Sequence, residues 1–160
     1  MSISIEKLLR HMQWANQGIY RAIAELPDQA LGAYLVNPEW TVAEILRHTA
    51  TSNSWYFYRL TGGERVTLEE PKSMDQLNEI ADQLLVFDQR LIALAEESEQ
   101  RVTVVWSDKS YEFDFSTILS QAAHHSIEHR AQAVAALESR GFTTIKLDDF
   151  DLWSFERSTR

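Results

Sequence analysis

Residues 116–141, STILSQAAHHSIEHRAQAVAALESRG, hold the deciding pattern: Ile118, Ala122, His125, His129, Gln132 and Ala136 follow one another at alternating steps of four and three. That spacing keeps side chains on one face of a helix and marks the seam along which it packs on its neighbours. A long helix is expected from near Ser116 to Gly141, a residue suited to the left-handed conformation that closes helices. Two imidazoles and an amide stand where apolar side chains belong. Burying such groups without partners costs about 1–3 kcal/mol each, so something in the interior has to satisfy them.

Upstream, Ile5, Leu9, Met12, Asn16, Ile19, Ile23 and Leu26 form a similar seam, interrupted by Asn16 and ended by Leu26-Pro27-Asp28. A second helix is expected from Thr41 to about Leu60, opened by a capping box, Thr41-Val42-Ala43-Glu44, and closed before Gly62-Gly63. Ser73 to Gln76 caps a third, which runs through Leu77, Ile80, Leu84, Phe87, Leu91 and Leu94. Between Arg101 and Phe115 the period changes to two, with Val102, Val104 and Trp106, then Tyr111, Phe113 and Phe115, flanking a Ser107–Ser110 turn. This predicts a short β-hairpin. The tail from Asp148 to Phe155 is apolar enough to dock.

Four amphipathic helices hide their apolar stripes most simply against one another, so the expected fold is all-α, one domain over residues 1–160, with a small β-hairpin before the last helix. The chain has 24 acidic and 15 basic residues, a formal net charge of -9. That balance repels phosphate backbones and anionic lipid, so neither nucleic acid nor membrane is an expected partner. The start, MSISIEKLLRHMQWANQ, has polar residues inside each apolar stretch, unlike a signal peptide or membrane span, which points to the cytoplasm. With no cysteine, imidazole and carboxylate are the only strong metal-binding side chains.

An i,i+4 histidine pair alone also suits ordinary helix histidines. The second helix strengthens the metal reading, because Ile45, His48, Ser52 and Trp55 put a third imidazole on a four-three seam. His11 and His124 fall off these seams and are expected at the surface or an interface. His125-Ser126-Ile127-Glu128-His129 also matches the H-x-x-E-H arrangement of inverse zincins, which would make Glu128 a general base. Such an enzyme needs a further carboxylate ligand well downstream, and Glu128 reads more simply as a solvated carboxylate or as one that supports a metal ligand from outside.

The run His125 to Gln132, with Trp14-Ala15-Asn16, Trp40 leading into Thr41 to His48, and the closing Asp148 to Phe155, resembles the DinB-like superfamily over nearly the whole chain. Ala131 departs from it, since many members have glycine there. The resemblance implies a four-helix bundle with up-down-down-up connection and a divalent metal held by His48, His125 and His129. It also implies metal-dependent transferases or hydrolases that use a low-molecular-weight thiol such as bacillithiol or mycothiol, and frequent homodimers.

Three neutral imidazoles leave open coordination positions, as in a reactive site. All-nitrogen ligation favours zinc or nickel, with iron possible, over magnesium or calcium. Asn16 is a candidate for orienting the bound ligand, and Trp55 and Tyr56 for walling the pocket, although plain core packing also accounts for all three and is the expected role of the two aromatics. Trp153, Phe155, Tyr56 and Tyr58 are candidates for a subunit interface or, equally, for docking within the chain. The alternative is a non-enzymatic metal-binding or stress-response bundle.

Overall fold

The computed structural model of the chain describes residues 4–159, and these are mostly helical, with five α-helices and one two-stranded antiparallel hairpin. Helix α1 (Ile5–Ala24) opens on Ser4, whose Oγ accepts from the Lys7 amide, and stops before Pro27. Helix α2 (Val42–Thr61) starts at Thr41, whose hydroxyl accepts from the Glu44 amide, and closes on Gly62 at φ 68°. Glu44 does not complete the expected capping box. Its carboxylate takes the Arg47 guanidinium at 2.6 and 2.7 Å, a charge-assisted contact stronger than a backbone amide offers. Helix α3 (Met74–Ala93) is capped by Ser73.

Strands β1 (Arg101–Trp106) and β2 (Lys109–Asp114) pair around Ser107 and Asp108, both at positive φ as a two-residue hairpin turn requires. Phe115, expected in the second strand, instead opens helix α4 (Phe115–Glu138). Glu99 explains the switch: its carboxylate accepts from the Ser116 amide and so caps the new helix. Helix α4 ends at Glu138, three residues before Gly141, which takes φ 86° in the turn that follows. A 3-10 turn (Leu147–Phe150) and helix α5 (Leu152–Ser158) then fold back on α1.

Helices α1 and α2 each pack on both α3 and α4. Their buried apolar residues fall into two clusters. One gathers Ile19, Tyr20, Ile23, Ile45, Leu46, Leu77, Leu84 and Leu137, and the other Leu9, Met12, Tyr56, Leu91, Leu119 and Ala122, joined by Val104 of the hairpin. Between them along the chain, every long helix carries buried polar residues, among them Asn16, Asn53, Asp88 and Arg130, all at most 4% exposed. Asp88 accepts from Asn16 Nδ2 at 2.9 Å and Asn53 Nδ2 at 2.6 Å, and Arg130 Nη1 donates to Asn16 Oδ1 at 2.6 Å. Most buried polar groups are paired in this way.

Two surface expectations are corrected. His11 is buried, because the tail lies over it: its Nε2 donates to the Phe150 carbonyl at 2.9 Å and its ring packs edge-on to Phe155. Phe155 and Tyr56 are buried too, the first against Trp14 and His11 and the second in the core, so neither is free for a subunit interface. Trp153 is 79% exposed, and His124 is exposed as expected. Among the described residues no helix is long and apolar enough to cross a membrane.

Candidate metal centre

Helices α2 and α4 face each other, and their seam brings together His48, His125 and His129, whose ligating nitrogens lie within 4.8 Å of one another. His125 Nε2 is 3.1 Å from His48 Nε2 and 3.0 Å from His129 Nε2. Two nitrogens each 2.0–2.1 Å from a tetrahedral ion are roughly 3.3 Å apart, a spacing the two pairs at His125 approach, while the 4.8 Å span of the group has to shorten for all three to share one cation. The group could bind a metal ion.

Proton accounting supports the fit. Trp40 Nε1, which can only donate, gives its hydrogen to Gln132 Oε1 at 3.0 Å and thereby fixes which end of that amide is oxygen. The same oxygen lies 2.8 Å from His129 Nδ1, so Nδ1 must donate as well. In a neutral imidazole the proton on Nδ1 leaves Nε2 as a bare lone pair. That lone pair faces His125 Nε2, and His48 Nε2 faces the same atom. Whichever neutral tautomers His48 and His125 take, His125 Nε2 cannot hydrogen-bond to both neighbours at once, whereas a cation shared by the three nitrogens would satisfy all of them.

Two of the three imidazoles are also held against protonation. Burial, reinforced by the neighbouring His129 and His48, pushes His125 down to about 4. Burial likewise lowers His48, with His129 and Arg47 adding to it and Glu44 opposing. Trp40 rests against His48 and His129 at ring separations of 5.3 and 5.6 Å, and Tyr56 closes the other side, 5.8 Å from His125.

Asn16 stands apart from the imidazoles in hydrogen bonding: its amide donates to Asp88 and its carbonyl accepts from Arg130. Glu128 is exposed. The residues that sequence reasoning passed over are Trp40 as the partner of Gln132, and the buried Asp88 and Arg130. Asp88 had a signal, since Leu84, Asp88 and Leu91 keep the four-three spacing. Ser126, Arg130, Ala133 and Leu137 do likewise on a second buried stripe of α4.

No curated protein matches the chain. The sequence model of the DinB family matches residues 1–158, essentially its full length, and with the three-histidine cluster in place this chain belongs to the DinB family.

Proposed function

We propose that this single-domain protein holds one divalent metal ion through Nε2 of His48, His125 and His129 and is a metal-dependent transferase or hydrolase using a low-molecular-weight thiol. The observation that carries the reading is the lone pair on His129 Nε2, aimed at His125 Nε2, which His48 Nε2 also faces. Zinc or nickel suits three nitrogen donors best, and iron is compatible. Such an ion, with open positions, would lower the pKa of a water or thiol enough to supply an anionic nucleophile near neutral pH. His48 and His125, held below the ordinary imidazole range, stay neutral and available as ligands at that pH. Gln132 and Trp40 hold the ring of His129 in one tautomer. With no cysteine in the chain, any thiol comes from a cosubstrate.

The proposed architecture is a four-helix bundle with up-down-down-up connection. Its support is the order in which the helices pass the two apolar clusters. Helices α1 and α4 run from the Leu9–Leu119 cluster to the Ile19–Leu137 cluster, and α2 and α3 run the opposite way. A homodimer using the exposed Trp153, in the cytoplasm, completes the reading; light scattering on the purified protein that gives a monomer mass would remove the dimer.

Elemental analysis of tag-free protein tests the metal site. The expected result is one equivalent of a transition metal in the parent and a loss of that stoichiometry in His48→Ala, His125→Ala and His129→Ala. Full occupancy in all three variants would overturn it. Activity is tested with the loaded protein against thiols and electrophiles, and inactivity across that panel would favour a binding role.

A further inference from the structure

One turn along the α2/α4 seam from the histidines, the hairpin roofs a cavity of about 270 Å³ lined by Trp55, Tyr56, Val104, Trp106, Phe113 and Ile118, with Thr117 and Gln121 at its polar edge. Its connection to the metal centre is short. Tyr56 is both a wall of the cavity and the ring beside His125, and Gln121 precedes His125 by one helical turn on the same face. The Trp55 and Trp106 rings are parallel within 4°, their centroids 5.9 Å apart, and Trp106 also meets Phe113 at 5.5 Å. Trp106 remains 45% exposed, so a large aromatic surface faces the opening instead of being consumed by the core.

We propose that this cavity binds the substrate of the metal centre through a neutral, flat, mostly apolar group, one or two rings in size. The inference rests on the metal-centred reading above for what then happens to the bound molecule, but not for the binding itself. Volume sets the size: the space lies at the small end of small-molecule pockets, which are typically about 300–1,000 Å³, mostly apolar, and oriented by a few polar groups. Chemistry sets the charge. No carboxylate lines the cavity, and one face of Trp55 is already taken by the Arg59 guanidinium, so a cation would find no counter-charge there. No lysine or arginine lines it either, so an anion would lose its hydration without gaining a partner. The Tyr56 phenol and the Gln121 amide are the polar groups that can offer a hydrogen bond to an uncharged heteroatom there. A small polyanionic thiol does not fit that description. The cavity is thus assigned to the molecule the thiol attacks, leaving the thiol to approach the ion from the solvent side.

The experiment uses the full chain and two fluorescent probes of nearly the same body, uncharged N-phenylnaphthylamine and anionic anilinonaphthalene sulfonate. The expected result is saturable one-to-one binding of the uncharged probe, with the sulfonate about tenfold weaker. Trp106→Ala and Phe113→Ala should each weaken the uncharged probe about tenfold, while Trp153→Ala, at the exposed aromatic of the tail, should leave it unchanged. Because truncating hairpin residues can disturb the hairpin, Thr117→Trp serves as a second kind of variant: Thr117 is exposed, and an added indole fills the cavity without removing packing. Equal affinity in parent, Trp106→Ala and Thr117→Trp, or no saturable binding, overturns the assignment. His48→Ala separates the two readings. Probe binding retained when the metal is lost supports the cavity whatever becomes of the metal centre, and metal retained with no probe binding rejects the cavity alone.

Discussion

Gln132 Oε1 lies 2.8 Å from His129 Nδ1, and this contact decides which face of the imidazole is free. The carbonyl oxygen can only accept, so the ring proton sits on Nδ1 and the lone pair on Nε2 points to His125. Trp40 prevents the amide from turning over, because its indole N–H needs the same oxygen. The tautomer of one ligand is therefore set from a loop preceding α2.

Gln132→Leu removes the acceptor for both N–H groups while keeping the bulk of the side chain. Outer partners of metal-bound histidines are worth about 10–100-fold in metal affinity, and a loss in that range is expected, read by competition with a chelator. Gln132→Glu retains an acceptor oxygen and should recover most of it. An unchanged affinity in the leucine variant would show that the ring is oriented by packing alone.

Asp88 joins three helices through its two oxygens, and Asp88→Asn turns one of them into a donor facing the amide of Asn16 or Asn53. It also leaves the buried Arg130 without its counter-charge. A loss of about 3 kcal/mol is expected from urea unfolding at neutral pH. Burial pushes Asp88 up to about 7 from an ordinary value of 3.8, so between those values the native chain binds more protons than the unfolded one. Parent stability relative to the asparagine variant should therefore fall as pH rises from about 4 to 7 and level off above.

The imidazoles act in the opposite sense. His125 is neutral in the native chain down to about 4, whereas unfolded histidine takes up its proton near 6.5. Acid in that window favours the unfolded state, and above it His125 makes no difference. In chelator-treated protein, the fall in melting temperature from pH 6.5 to 4.5 should be smaller in His125→Gln than in the parent. Comparing the two at each pH cancels the contribution of Asp88. The loaded parent should release its ion in the same range, since protons and metal compete for Nε2.

Much of this was legible from spacing. The four-three steps gave the long helices and put Asn16, His48, His125 and His129 on inward or seam positions, because a single helix face is a local property of the chain. What a side chain meets there is not local. Asn16 reads the same whether it faces a ligand or Asp88, and only the position of α3 decides. His11 lies beside the seam of its own helix, yet residues 139 positions later bury it, so nothing in α1 announces the change. Phe115 obeyed the strand alternation and was claimed by α4 because Glu99, from before the hairpin, caps the helix. Trp40 stood out as an aromatic before a helix, but its hydrogen bond to Gln132 crosses 92 positions.

Gly18 tests how firmly the tail is held. It lies within α1, where replacing glycine by alanine normally adds about 1 kcal/mol of helix stability. Here a methyl group would meet the ring of Phe150, with Cδ1 at 2.8 Å, closer than carbon atoms pack. The ring cannot simply back away, since the Phe150 carbonyl is tied to His11 and the ring itself rests against Trp14 at 6.0 Å. Gly18→Ala should therefore lift the segment from Leu147 to Ser158 off α1, raising its amide exchange at least tenfold while α2 to α4 keep theirs. Metal content should be unaffected, because no ligand lies on α1 or in the tail. If the variant instead gained about 1 kcal/mol with tail exchange unchanged, Phe150 would be a loose neighbour of α1 and the burial of His11 would need another cause.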